Sequence, residues 1–505
     1  MFLAALDQTV ILTAIPEMLQ DVNVSLTQLD QASWIVTGYL LGYVSVLPLM
    51  GRLSDVYGRR PVYLASLGVF AAGSVACALA RNLGWLVAAR VCQAIGGGAL
   101  LPVTFALVAD HLPVAKRAVW LGAIGAAAEA GGVLGPLYGA AIVQHLGWRW
   151  IFWLNVPLAV ALCSPLARWR ERARVRVVVP AAPGSLTPTL SRFGGRGSSP
   201  SVDWPGGILF AAGLTALTIG LSGSSDPTSS ASPIQLGRAV PLTAVALIIG
   251  AIFIRRQQRA PEPLVPLALF RSRSFAAANG VNALVGVALI AGMVDVPLFA
   301  ATVLGRSPIA AGLALLRLTA LIPVGAVVGG WLVARLRWDA VSAAGLLLAS
   351  GGFFLMSRWT LAVSDAAMTP GLVLAGLGFG LVVAPVTTAV LAAVGEKDRA
   401  LSTALLTVMR MAGMTLGLAA LTSVAFYRFN QLVQGLTLPL PLPGEPSEAL
   451  TQRFAAYQAA ISNAALDVFT SIFLIAAAIC VVNCLVSVCL PLVLWSGKKQ
   501  LTADA

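Results

Sequence analysis

Apolar residues run through this chain in long blocks, near 1–19, 32–51, 62–80, 85–109, 117–143, 150–168, 204–222, 239–255, 275–301, 308–334, 340–357, 368–394, 400–434 and 456–494. A helix that crosses a bilayer needs about 20 mostly apolar residues, so these blocks predict fourteen spanning helices and an all-α membrane protein. The polar residues sit in the gaps. Gly51 to Arg60 reads GRLSDVYGRR. One acid and three arginines between two apolar blocks are too costly for the bilayer interior, which predicts a turn at a membrane surface joining two spanning helices.

Two gaps break the rhythm and set the domain boundaries. From Arg168 to Ser201 arginines alternate with Pro, Gly and Ser, the pattern of a flexible linker near anionic lipid. The blocks at 204–222 and 239–255 then form an extra pair, followed by a second basic stretch that ends near Arg273. The predicted order is a six-helix bundle over 1–168, a linker over 169–203, two inserted helices with their basic loop over 204–274, and a second six-helix bundle over 275–505. Paired halves with a cavity between them are a common transporter plan. The last two blocks exceed one crossing. A helix of about 35 residues is about 52 Å long, against a hydrocarbon core of about 30 Å. The excess predicts a helical extension beyond the outer surface, over about 426–456, with the stretch LPLPLPGEPSE at its tip.

Composition narrows the class. With 58% hydrophobic and only 10% charged residues, a soluble chain of 505 residues could not cover its surface. The net charge of +13 does not imply nucleic acid, because the basic residues fall in short loops between apolar blocks and no reader motif accompanies them. With both termini in the cytosol, most Lys and Arg fall in cytosolic loops, as the positive-inside rule requires. The first block starts at Met1 without a basic leader or cleavage site, so it reads as a spanning helix rather than a signal peptide. The six cysteines lie in apolar blocks without disulfide or metal spacing, and read as small packing residues.

Charges inside the blocks are candidates for mechanism, because each costs about 2.5 to 3.5 kcal/mol to insert. They are Asp7, Arg90, Glu129, Asp295, Arg317 and Arg410. An acid that alternates between a desolvated setting and a nearby cation can load and release a proton. Glu129 is the first candidate for proton carrier and Asp295 the second, with Arg410 as a cation for either acid to exchange with and a structural ion pair as the rival role. Arg317 can snorkel or pair locally. Beside Glu129, Gly131, Gly135 and Gly139 recur every four residues and line one helical face, and Pro136 adds a weak point. That face serves either a sliding interface between halves or static packing. In the surface turn, Asp55 is placed to accept from Arg59 or from a neighbouring helix N-terminus, a candidate latch on one face of the transporter. Asp110 with Arg117 is a second candidate latch or an ordinary surface pair.

Other classes lack their chemistry. No GxxxxGK[ST] phosphate loop occurs, which argues against an ATP-driven pump. His111 and His145, the only histidines, fall at block ends, so an enzyme's nucleophile-base set or metal cluster has no obvious home. No cofactor is expected beyond protons as coupling ion.

GRLSDVYGRR resembles the loop signature after the second helix of the major facilitator superfamily, with Gly51, Leu53, Asp55, Gly58, Arg59 and Arg60 in register. Gly122, Gly131, Gly135, Pro136 and Gly139 resemble the fifth-helix signature of its drug:proton antiporters, with Ala140 where that signature ends in glycine. LDQTVILTAIP at Leu6 to Pro16, and Arg90 with Gln93, resemble first- and fourth-helix signatures of the fourteen-helix branch, although Ala94 replaces an expected glycine. These helices face one cavity in that family, which implies that Asp7 and Arg90 interact. Longer stretches, among them SWIVTGYLLGYVSVLPL, WRWIFWLNVP and RMAGMTLGLAALTSVAFYRFNQLVQGL, resemble mycobacterial-type exporters that move triacylglycerides and work with a lipid-binding lipoprotein. Those relatives also have elongated eleventh and twelfth helices. The resemblance implies a proton-coupled, alternating-access exporter in a bacterial cytoplasmic membrane, surrounded by membrane lipids. It favours a lipid such as triacylglyceride as cargo, with cationic or amphipathic drugs as the alternative and nutrient uptake as a lesser one.

Overall fold

A computed structural model describes residues 1–22, 33–111, 114–176, 202–222, 236–260, 263–395, 399–439 and 447–501. They fold into α-helices with two short 3₁₀ segments, and no strand occurs among the described residues. In chain order the helices are α1 Phe2–Val10, α2 Ile15–Asp21, α3 Trp34–Tyr57, α4 Arg59–Ala78, α5 Leu83–His111, α6 Val114–Leu146, α7 Arg149–Arg176, α8 Trp204–Leu221 and α9 Leu236–Arg259. They continue as α10 Arg273–Thr302, α11 Pro308–Thr319, α12 Leu321–Val333, α13 Trp338–Met356, α14 Asp365–Ala392, α15 Arg399–Val433 and α16 Ser447–Leu501. Among the described residues, eleven helices are long and apolar enough to cross a membrane, and Phe2–Thr13 and Arg149–Leu162 are shorter apolar helices.

The same helix pairings recur in the two halves. In the first, α3 and α4 both pack on α5, α1 on α6, and α4 on α7. In the second, α12 and α13 both pack on α14, α10 on α15, and α13 on α16. The halves meet where α6 crosses α11 and where α3 crosses α15. The inserted helices α8 and α9 pack on each other, and α8 touches α3 of one half and α15 of the other. Two contacts fix it there: Leu49 fits over Gly207, and the Ser423 hydroxyl donates to the Leu221 carbonyl at 2.7 Å. At the Gly207 end of the pair, Asp203 caps α8 by accepting from the Gly206 N–H, and also accepts from Arg256 and Gln257 on α9.

The structure differs from the pattern of blocks at three points. The first block is not one helix: α1 gives way to a 3₁₀ turn over Ile11–Thr13 before α2 begins. Pro16, in the first turn of α2, has no N–H to give the Leu12 carbonyl, so a continuous α-helix would lose a bond there. The block at 308–334 likewise divides at Ala320 into α11 and α12, where Pro323 leaves the Thr319 carbonyl without its usual donor. The surface turn is shorter than GRLSDVYGRR suggests. Residues through Tyr57 belong to α3, and Gly58 alone separates it from α4. Gly58 has φ 92° and ψ 144°, a conformation open to glycine and strained for any side chain.

Helices α15 and α16 contain 35 and 55 residues. At 1.5 Å per residue they are about 52 Å and about 82 Å long, well beyond the core of about 30 Å. The tip between them, 440–446, lies outside the described residues.

Candidate functional site

The first half encloses a polar network with no exposed surface at its centre. Asp7, Arg90 and Gln93 are each 0% exposed. The Asp7 carboxylate accepts from Arg90 Nη1 at 3.0 Å, from Gln93 Nε2 at 2.9 Å and from Asn155 Nδ2 at 2.6 Å. Arg90 Nη1 also donates to Gln93 Oε1 at 2.7 Å, and Gln93 Nε2 donates to the Ser74 hydroxyl at 2.8 Å. The Arg90 guanidinium lies 4.0 Å from the centre of the Tyr39 ring, a cation over a π face. Five helices, α1, α3, α4, α5 and α7, thereby converge on one ion pair. Such a pair returns its desolvation cost only if its remaining hydrogen-bonding capacity is met, and for Asp7 two further donors, Gln93 and Asn155, meet it. Arg90 is less fully paired, since its Nε and Nη2 have no hydrogen-bond acceptor among the described residues.

The acids and cations of the second half are arranged differently. Asp295, two turns from the C-terminal end of α10, is half-buried, with no hydrogen bond or ion pair among the described residues. Arg410 on α15 is also half-buried and without such a partner, and its charge reaches Tyr43 of α3 across the junction of the halves. Beside it, Gln8 of α1 donates to the Met411 sulfur at 3.3 Å. Arg410 and Asp295 are not brought together. The Arg410 carbonyl packs against Gly286, and Asp295 lies about 13 Å further along α10 at 1.5 Å per residue. Arg317 does not pair within its own helix; it donates to the backbone carbonyl of Asp365 at the start of α14, at 3.1 Å. Glu129 is carried by α6, but its side chain lies outside the described residues, as do Asp110, Arg117 and Gly122.

The glycine face of α6 has a definite neighbour. A methyl group at Gly131 would overlap the Phe2 carbonyl, at Gly135 the Thr9 hydroxyl, and at Gly139 the Val10 carbonyl. The stripe therefore lets α1 lie against α6 within the same half. Contact with the other half uses the adjoining face. There Gly312 of α11 approaches Pro136 and Ala140, and a methyl at Gly312 would fall 2.8 Å from the Ala140 side chain. Alanine stands on one side of this crossing and glycine on the other, so the close approach survives. The Thr13 hydroxyl donates to the Pro136 carbonyl at 3.3 Å, so the 3₁₀ break in the first block is also anchored here.

At the α3–α4 corner, Asp55 pairs with Arg59 and, at 3.7 Å, with Arg52. Arg59 donates to the Ser54 hydroxyl at 2.7 Å as well. These contacts stay within the corner; Arg60 flanks them at the start of α4.

Comparison with known proteins agrees with this architecture. The family model described as Major Facilitator Superfamily matches residues 1–418. The chain belongs to the major facilitator superfamily. Curated relatives extend the likeness nearly end to end. A Mycolicibacterium smegmatis protein named triacylglyceride transporter is 36% identical over 99% of this chain and 86% of its own length. A Mycobacterium tuberculosis protein of the same name is 37% identical over 99% of this chain and 93% of its own. Among solved structures, a bacterial homologue of the human lysosomal transporter Spinster, inward-facing and occupied, superposes with a TM-score of 0.59. It is 16% identical, covers 95% of this chain and 94% of its own, and speaks for the fold alone. This superfamily member is thus a multi-pass membrane transporter and not an enzyme.

Sequence reasoning missed Tyr39, Ser74 and Asn155 as members of the network. Asn155 carried a usable signal, an amide in an otherwise apolar stretch of α7; Tyr39 and Ser74 carried none beyond lying in spanning helices.

Proposed function

We propose that this protein exports a hydrophobic lipid, with triacylglyceride as the favoured cargo, by alternating access driven by inward proton flow. The observation that carries the cargo is the 35–38% identity to proteins named triacylglyceride transporters across nearly the whole chain. The coupling half is supported by Asp295, a carboxyl inside a span with no ion-pair partner among the described residues. Its charge is costly there, and binding a proton removes it. Glu129, beside the glycine face, is the companion candidate. Asp7, held by three donors, is free to exchange a proton only in a conformation that opens the network. At 100 mV each charge moved inward supplies about 2.3 kcal/mol before any pH term.

The protein works in the cytoplasmic membrane with both termini cytosolic, the orientation favoured by its basic loops. The excess length of α15 and α16 stands beyond the outer surface, where it guides cargo away from the membrane or docks a lipid-binding lipoprotein. The antiporter-type glycine signature favours one rival, efflux of amphipathic drugs. Reconstitution in sealed vesicles tests both. Labelled triacylglyceride efflux should depend on an imposed pH difference or voltage, and Glu129→Gln should abolish that dependence without unfolding the protein. Proton-dependent efflux of cationic drugs with none of triacylglyceride would favour the rival. Efflux indifferent to both gradients would end the antiport reading.

A further inference from the structure

At the end of the first half opposite the α3–α4 corner, a cleft of about 810 Å³ opens between α2, the α6–α7 turn and the start of α7. Glu17, Asp21, Trp148, Arg149, Trp150 and Trp153 line it. Its charges do not cancel. Asp21 accepts from the Trp148 indole N–H at 2.9 Å and pairs with Arg149, which also donates to the Ala80 carbonyl at 3.1 Å and stacks 4.4 Å over the Trp148 ring. That acid and that cation satisfy each other. Glu17 accepts from the Trp148 backbone N–H but has no cation among the described residues, so the cleft keeps one negative charge.

The remaining walls suit a cation. Trp150 and Trp153 are 47% and 38% exposed, and indole faces attract ammonium groups. Tryptophans concentrate where a spanning helix meets the headgroup layer. Below them Pro157 and Val160 are exposed on the same side of α7 as Trp150 and Trp153, so the cleft continues into an apolar strip suited to acyl chains. Arg149, the one cation among the residues that line the cleft, is already engaged by Asp21.

We propose that this cleft is a binding site for an ammonium-bearing phospholipid of the bilayer, with its amine on Glu17 between the indoles and its chains along α7. The site is separate from the Asp7 network, and the proposal does not depend on which cargo is exported.

The test uses the full-length protein, delipidated in mild detergent, and follows thermal unfolding during titration with phosphatidylethanolamine, chain-matched phosphatidylglycerol or soluble phosphoethanolamine. Phosphatidylethanolamine should stabilise at concentrations about threefold or more below those of phosphatidylglycerol, the scale of one lost cation contact. Glu17→Gln should erase that preference and Glu17→Asp should retain part of it. Trp153→Leu, at an exposed position, should weaken it even if Glu17→Gln folds poorly. Equal potency of the two lipids, or a preference unchanged in Glu17→Gln and Trp153→Leu, would overturn the site. Soluble phosphoethanolamine as potent as the lipid would overturn a bilayer lipid as its occupant.

Discussion

Asp7 and Arg90 sit 83 residues apart in sequence and 3.0 Å apart in space, with neither side chain exposed. Removing one member leaves a buried charge uncompensated, which costs about 3–5 kcal/mol, whereas removing both charges at similar volume is close to neutral. Arg90→Gln and Asp7→Asn should therefore each lower the detergent unfolding temperature markedly, and the double variant should recover much of the loss. A double variant as unstable as the worse single one would mean that the surrounding amides, not the ion pair, hold the site.

The four-residue glycine period makes a second, finer contrast. Gly135→Ala and Gly139→Ala place a methyl against α1, at the Thr9 hydroxyl and the Val10 carbonyl, whereas nothing lies within 4 Å of a methyl at Gly132. Overpacking of this kind costs about 1–3 kcal/mol. The first two variants should express as less stable protein by fluorescence-detected size exclusion, and Gly132→Ala should match the parent.

Against the fourteen expected spans, eleven helices long enough to cross stand among the described residues. The all-helical membrane fold and the glycine face were legible in the sequence because both rest on local regularities, hydropathy over about 20 residues and a repeat of four. What the glycine face touches was not, since periodicity names a face and never its neighbour; the partner proved to be α1 and not the opposite half. The network around Asp7 was half legible. Three of its members, Asp7, Arg90 and Gln93, stand in motifs, but Asn155 reaches Asp7 across 148 residues, a distance that no local pattern encodes. The charged corner misled in a different way. Gly51 to Tyr57 is polar enough for a turn yet stays helical, because Ser54 bonds back to Gly51 and Asp55 pairs with Arg52 and Arg59 at helical spacing.

Asp295 should behave unlike Asp7. With no partner to lose, Asp295→Asn should leave unfolding temperature unchanged or raise it. In vesicles it should reduce efflux driven by a pH difference at least about tenfold, the effect of about 1.4 kcal/mol on a rate. Proton-driven efflux at the parental rate would remove Asp295 from the coupling path.

The crossing of α6 and α11 offers a direct probe of alternating access. Ala140 faces Gly312, close enough that a β-carbon at Gly312 would lie 2.8 Å from that of Ala140. Cysteines there, after Ala140→Cys and Gly312→Cys in a background freed of native cysteines, have β-carbons within reach of the 3.5–4.5 Å that a disulfide requires, after a small separation of the helices. Mild oxidation should cross-link them in the conformation described here, stop transport, and release it on reduction. If the halves rock apart at this crossing, cargo or a proton gradient that favours the other state should slow cross-linking. A cross-linked protein that still transports at full rate would mean that α6 and α11 stay together throughout the cycle, and that the movement opening the cavity lies at the α3–α15 junction instead.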